Sequence, residues 1–280
     1  MSDHFAAFSF VDRITAFDPG ARARAEFAVP PHIASFPSCL VAEAVGQLAA
    51  WVAMAKVSFR GRPVAALANE TRFHGVVRPG DRLELGVEID SCDDDAVAYA
   101  GWARVNGALV IELVDCLGPM LPVEEFDSPT ALAARLELLR GTGAAPGRFQ
   151  GVVAPRIVPG ETVHGDTMAG DTSPGKAITA QLHVPAAAPF FGDHFPRRPV
   201  FPATLLLDAQ IGMAMQLAAP GHVPARMTHV KMRSFIAPGD VLQIEARRAP
   251  ADANRILLSA HNNGKTVATA RLETVFGDRA

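Results

Sequence analysis

Three ionisable residues stand in surroundings that do not suit them. His194 lies in P-F-F-G-D-H-F-P-R-R-P-V-F-P, a loop in which Pro196, Pro199 and Pro202 each fix their own φ and bias the preceding residue away from helix. Asp208 follows in an almost wholly apolar run from Ala203 to Ala219, and Glu43 stands in a second such run, F-P-S-C-L-V-A-E-A-V-G-Q-L-A-A-W, from Phe36 to Trp51. Burying a carboxylate is costly unless it is paired or neutralised, so each acid is either a hydrogen-bonded structural group or a functional one. A rigidly held histidine and a carboxyl group in apolar surroundings suit general acid–base chemistry: the imidazole accepts a proton near neutral pH and the carboxyl keeps one to donate.

The two apolar runs are related. Phe36-Pro37 matches Phe201-Pro202, Leu40 matches Leu205, and Glu43-Ala44 falls on Asp208-Ala209 without a gap. Further on, R-F-H-G-V-V-R-P-G-D-R-L-E-L from Arg72 matches K-M-R-S-F-I-A-P-G-D-V-L-Q-I from Lys231, and W-A-R-V-N-G-A-L-V-I from Trp102 matches S-A-H-N-N-G-K-T-V-A from Ser259. Three blocks recurring in one order and at nearly constant offset indicate a tandem duplication of one domain. The length of 280 residues allows two domains, each with its own core.

Each half reads as two short strands, a buried helix and then several antiparallel strands. In the first half F-S-F-V-D-R-I-T-A-F, from Phe8, reads as an opening strand that leads into an Asp-Pro-Gly turn at Asp18 to Gly20, and the helix runs from about Ser38 to Val57. Strands follow from Pro63 to Leu121, with turns at Pro79-Gly80-Asp81, at Asp93 to Asp95 and at Asn106-Gly107, the last a strong two-residue hairpin signal. The second helix is expected from Ala203 to Ala219, buried on every face. A long antiparallel sheet wrapped around one central helix satisfies this order in each half. Ser128-Pro129 opens a linker helix that stops in the glycines from Gly141 to Gly147. The units are therefore 1–126 for the first domain, 127–148 for the linker and 149–280 for the second.

Composition narrows the function. The net charge of −3 and the lack of a basic run interleaved with aromatics exclude a nucleic-acid surface. Cys39, Cys92 and Cys116 are scattered and odd in number, which fits a reducing cytosol better than a disulfide framework or a zinc site. Neither a signal peptide nor a membrane span is expected, since Glu43 and Gln47 interrupt the run from Ser38 to Lys56. The triple acid at Asp93 to Asp95 reads as an exposed turn, and His164-Gly165-Asp166 as a polar loop with no further metal ligand at suitable spacing. No cofactor or metal is called for.

These residues carry a family resemblance. The second half, along F-F-G-D-H-F-P-R-R-P-V-F-P-A-T-L-L-L-D-A, resembles the 3-hydroxyacyl-acyl carrier protein dehydratases of bacterial fatty-acid synthesis. The first half resembles the same family along F-V-D-R-I-T-A-F-D-P-G, F-P-S-C-L-V-A-E-A-V-G-Q and R-P-G-D-R-L. The resemblance implies an α+β double hotdog that dehydrates a 3-hydroxyacyl thioester carried by acyl carrier protein or coenzyme A, and it allows a homodimer of double hotdogs. It also implies that each site takes its histidine from one hotdog and its acid from the other. His194 as base is therefore expected to work with Glu43 as acid, and Gln47, Ser38, Cys39, Gly192, Phe195 and Pro202 to contact substrate. The family's glycine at the helix start is replaced by Ser38 in one half and Ala203 in the other. Asp208 would need a histidine from the first half, where the loop from Val29 to Phe36 is much shorter than its counterpart from Val184 to Phe201. His32 is the only candidate there, so this second site is expected to be vestigial. The small residues Ala42, Ala44, Gly46, Ala49 and Ala50 leave room for an acyl chain or for close strand packing, and Arg197 and Arg198 are candidates to meet the carrier. A hotdog thioesterase and a non-catalytic acyl-binding subunit are the rival readings.

Overall fold

The computed structural model describes residues 4–163, 177–250 and 252–277. The first half contains β1 (Arg13–Asp18), β2 (Arg22–Ala28), α1 (Ser38–Lys56), β3 (Gly61–Pro63), β4 (Leu67–Phe73), β5 (Arg82–Cys92), β6 (Ala96–Val105) and β7 (Ala108–Pro122). Helix α2 (Pro129–Arg140) follows, and the second half holds β8 (Arg156–Val163), β9 (Ala177–His183), α3 (Ala203–Ala214), β10 (His222–Met232), β11 (Val241–Ala249), β12 (Asp252–Asn262) and β13 (Lys265–Phe276).

Among the described residues the strands form one 13-stranded antiparallel sheet in the order β1-β2-β5-β6-β7-β4-β10-β13-β12-β11-β9-β8, with β3 paired to β7. Read outward from the β4–β10 seam, the two halves repeat each other strand for strand. The seam itself is antiparallel, with Met227 opposite Thr71 and Val230 opposite Ala68. The fold is the double hotdog that the family resemblance implies, with each half of the sheet curled around its own helix.

The repeated turns are built alike. Asp81 accepts from the Arg78 N–H at 2.7 Å and Asp240 from the Ala237 N–H at 2.8 Å, with Gly80 and Gly239 at φ +93° and +83°. Asn106-Gly107 and Asn263-Gly264 both take positive φ, as a two-residue hairpin turn requires. Asp93 accepts from the Asp95 and Ala96 N–H groups at 2.9 Å each, so the triple acid is a turn closed on itself. The pair His164 and Asp166 lies outside the described residues.

Helix α1 is long and apolar enough to cross a membrane by length and composition alone. Here the sheet encloses it: Leu40, Val41, Ala44, Val45, Leu48 and Val52 are buried in the main core. A half-exposed stripe, Ala42, Glu43, Gly46, Gln47 and Ala50, runs along one side at helical spacing.

Three expectations need correction. The opening strand begins at Arg13, and Phe8 to Val11 is instead a loop held by side chains described below. Helix α3 ends at Ala214 rather than Ala219. Past it, Gln216 and Leu217 donate to carbonyls only three residues back, and the Arg248 guanidinium takes the Leu217 carbonyl through Nε at 3.0 Å and through Nη2. Nor is α3 buried on all sides, because Asp208 and Gly212 form an open stripe that Gln216 continues past its end.

Helix α1 comes close to the sheet at Gly101 of β6. A Cβ there would stand 2.5 Å from Val45 Cγ1 and 2.9 Å from the Gly86 carbonyl oxygen. Gly101→Ala is expected to lower stability by about 1–3 kcal/mol through overpacking, read as a reduced urea midpoint; an unchanged midpoint would contradict this packing.

Candidate active site

The His194 loop is built from the backbone outward. Pro189–Gly192 forms a short 3-10 turn, from which Asp193 and His194 donate their N–H groups to the Phe190 carbonyl at 3.1 and 2.8 Å. His194 and Val200 then close the loop reciprocally. The Val200 N–H donates to the His194 carbonyl at 2.9 Å, and His194 Nδ1 lies 2.8 Å from the Val200 carbonyl oxygen. A carbonyl only accepts, so Nδ1 carries a proton and Nε2 keeps its lone pair. The Phe195 ring stacks on the imidazole at 4.2 Å, and Phe8 meets it edge-on at 5.6 Å.

Glu43 reaches the site from α1. Its Oε1 accepts from Gln47 Nε2 at 3.1 Å, and its Oε2 accepts from the Thr204 hydroxyl at 2.9 Å. Thr204 belongs to the first turn of α3, so the carboxyl group of one half is held by the helix of the other. Gln47 holds more than Glu43. Its Nε2 also donates to the Phe8 carbonyl at 2.9 Å and its Oε1 accepts from the Phe10 N–H at 2.8 Å. Asp193, beside the histidine, accepts from the Phe8 N–H at 2.7 Å and from the Phe5 N–H and the Ser9 hydroxyl. The segment from Phe5 to Phe10 is thereby fastened to both halves.

His194, Glu43 and Gln47 face one cavity of ≈240 Å³ that reaches Cys39, Tyr99 and Phe195 and extends to the β4–β10 seam at Thr71 and Met227. The small residues Ala42, Gly46, Ala49 and Ala50 line it, whereas Ala44 is buried in the core. A Cβ on Gly46 would lie 3.4 Å from the Tyr99 hydroxyl, so this glycine leaves the floor of the cavity open. Burial pushes the His194 imidazole below its ordinary value; Glu43 and the Val200 carbonyl draw a proton toward it, and the Arg62 cation opposes them. Burial also raises the Tyr99 phenol and the Cys39 thiol, the latter with help from Asp208.

Several expected contacts are arranged otherwise. Gln47 lines the cavity, with both donors of its amide engaged by the Phe8 carbonyl and Glu43. Ser38, Gly192 and Pro202 do not line the cavity. For Ser38 the reason is that the helix start beside Glu43 is that of α3, whose Thr204 donates to the carboxyl, so Ala203 and Thr204 line the cavity instead. Pro202 is the cap of α3, its carbonyl accepting from the Leu205 N–H at 3.1 Å, and Gly192 faces outward. Arg197 donates to the Glu124 carbonyl at 3.0 Å and Arg198 to Glu125 at 2.8 Å, so both side chains are tied to the turn before α2.

Asp208 lines a second cavity of ≈1260 Å³, together with Gly212 of α3, Gln216 just past its end, and Pro37 and Leu40 at the start of α1. Burial raises its carboxyl group, and no histidine lines that cavity among the described residues. His32 is exposed and does not reach it. No group of three or more His, Cys, Asp or Glu residues is arranged to hold a metal among the described residues.

Sequence reasoning missed Asp193, Thr204 and Arg62. A signal existed for Thr204, which aligns with Cys39 in the repeat and has an oxygen where Cys39 has sulfur. Asp193 stands next to the histidine, but its partners at Phe5 and Phe8 are too distant in sequence to be read from spacing.

Comparison with known proteins treats the halves separately. Residues 4–114 match a FabA-like domain model, and residues 171–271 match an ApeI dehydratase model. A 3-hydroxyacyl-[acyl-carrier-protein] dehydratase FabZ of Protochlamydia amoebophila is 34% identical over 111 residues, which are 37% of this chain and 72% of that protein. Among solved structures, an acyl-ACP thioesterase of Bacteroides thetaiotaomicron aligns over 91% of this chain and 98% of its own with TM-score 0.55 at 8% identity. A hot dog fold protein of unknown function from Alicyclobacillus acidocaldarius aligns over 100% of both chains with TM-score 0.51 at 12% identity. At those identities the structural likeness is one of fold.

Two expected outcomes follow from this geometry. Removing the acceptor in Asp193→Ala should speed amide exchange at Phe8 and lower turnover by releasing the segment that holds Gln47; unchanged exchange would contradict the fastening. The imidazole of His194 should titrate below 6.5 by NMR. Between that value and 6.5 the unfolded chain binds a proton that the folded chain refuses, so stability falls as pH drops through this window. Titration at or above 6.5 would contradict the burial of the ring.

Proposed function

This chain belongs to the 3-hydroxyacyl-[acyl-carrier-protein] dehydratase family, and from that membership we propose that it removes water from a 3-hydroxyacyl thioester to give the trans-2-enoyl thioester. Acyl carrier protein is the proposed carrier, with coenzyme A thioesters as the alternative, and fatty-acid or polyketide-type synthesis is the proposed setting. The same reading divides the chain into hotdog units at 1–126 and 149–280 with a linker at 127–148. Three unpaired cysteines support a reducing, cytosolic setting.

His194 is the base. Its Nε2 takes a proton from C2 of the substrate, the electron pair of that C–H bond forms the C2–C3 double bond, and the C3–O bond breaks. Glu43 is the acid, and its proton leaves with the C3 oxygen as water. One proton must then return from His194 to Glu43, and the shared cavity lets it do so. Negative charge gathering on the thioester oxygen during C2 deprotonation is met by the N–H groups of Ala203 and Thr204, which start α3 without an intrahelical acceptor and without a side-chain cap.

The observation that carries the reading is the tautomer of His194. Its Nδ1–H is committed to the Val200 carbonyl and Nε2 makes no hydrogen bond among the described residues, while Glu43 from the other half shares the cavity. Thr204 and Gln47 fix the carboxyl group without occupying the space above it.

His194→Ala and Glu43→Gln should each lower kcat/KM for 3-hydroxyacyl thioester dehydration by about 10²-fold or more, and Asp208→Asn should keep most of it. Loss in Asp208→Asn with activity kept in Glu43→Gln would overturn the pairing. Wild-type protein that hydrolyses the thioester without forming the enoyl product would replace this reading with a thioesterase.

A further inference from the structure

Arg62 has no part in the proton transfers above, although it lines the same cavity as His194 and Glu43. It stands on the short strand β3, and its side chain is 15% exposed. The guanidinium lies 4.1 Å from the centroid of the Phe195 ring, and that ring in turn stacks on the His194 imidazole at 4.2 Å with 22° between the planes. Cation, phenyl ring and imidazole thus form one continuous stack.

The hydrogen bonding of Arg62 is unusual for a buried cation. Its nearest carboxylate oxygen is Asp127 Oδ2, 3.6 Å from Nη1, and Nη1 is sealed from solvent with no hydrogen-bond acceptor. Asp127 is itself engaged by the Ser128 N–H at 2.7 Å and by His4 Nε2 at 3.2 Å. A buried guanidinium held so loosely is costly, and an apolar side chain of similar volume would suit packing alone better. The charge therefore needs a reason.

The charged groups around His194 come from several elements. Glu43 approaches from α1, Asp193 from the histidine's own loop and Arg62 from β3, while Asp127 and Arg135 of α2 stand near Arg62 and Asp193 rather than against the imidazole. With its carboxyl ionised, Glu43 favours a proton on His194, and Arg62 is the cation that opposes it.

We propose that Arg62 is a positioning residue for the dehydration: through the Phe195 ring it fixes the plane of the His194 imidazole, and its fixed charge opposes the charge that the imidazole acquires on taking a proton. The inference rests on His194 being the base, and it sets the pH range in which Nε2 is free to act. Burial, the largest influence, and Arg62 act together against Glu43, so removing Arg62 should weaken that opposition and strengthen the hold on the proton.

The test uses full-length Arg62→Met, Arg62→Lys and Arg62→Met/Asp127→Asn, the last removing both charges of the pair so that no buried acid loses its cation. Two quantities are followed: the NMR titration of the His194 ring, which needs no catalysis, and the acidic limb of kcat/KM against pH. In Arg62→Met and in the double variant both should move up. In Arg62→Lys, which keeps the charge but not the planar stack, the titration should stay near wild type while kcat falls. A His194 titration unmoved in folded Arg62→Met or in the double variant overturns the proposal, and so does a shift in Arg62→Lys as large as that in Arg62→Met. A ring titration that moves while the rate limb stays fixed supports the link between Arg62 and His194 and overturns instead the assignment of His194 as the base.

Discussion

A carboxyl group placed inside an apolar helix must have its hydrogen bonds supplied from nearby, and the way Glu43 obtains them shapes the rest of the molecule. One donor is Gln47, a turn further along α1. The other is Thr204, at the start of α3 in the opposite half. For Thr204 to reach, the start of α3 must pack against α1 beside Glu43, in a molecule whose halves the β4–β10 seam joins into one sheet. The same packing brings the first N–H groups of α3 and the His194 loop to the cavity that Glu43 lines. Thus one polar contact ties together helix packing, sheet continuity and the assembly of the site.

Duplication explains why that site is unequal to its counterpart. Cys39 stands where the repeat has Thr204, Asp208 where it has Glu43, and Gly212 where it has Gln47. The acid is thus retained on both helices, but the group holding it and the loop bearing a histidine differ. Around Asp208 the result is a roomier cavity without an imidazole among its described lining residues. Around Glu43 it is a tighter space in which Gln47 and Asp193 fasten the N-terminal segment over the helix.

Much of this architecture is legible in the sequence because it is local or repeated. The Pro-Gly-Asp and Asn-Gly turns announce themselves through backbone preferences, the helix runs through composition, and the doubling through order and spacing. What escapes is set by distant contacts. The early end of α3 comes with Arg248, a residue of β11, gripping the Leu217 carbonyl. The hold of Gln47 on Phe8 and Phe10 spans too many residues to be read from spacing, and that Ala203 rather than Ser38 lines the cavity depends on how the two helices pack. Arg62 carries no motif at all, and its place behind Phe195 follows only from β3 pairing with the end of β7.

The central claim is that one site is completed within a single chain, with the acid from the first half and the base from the second. Co-expression of differently tagged His194→Ala and Glu43→Gln chains, followed by isolation of the mixed assembly and assay of dehydration, tests it most directly. An intrachain site predicts that the mixed assembly is no more active than either variant alone, since every chain lacks one of the two groups. Recovery of activity in the mixed assembly would show that acid and base meet across chains, and would contradict the account.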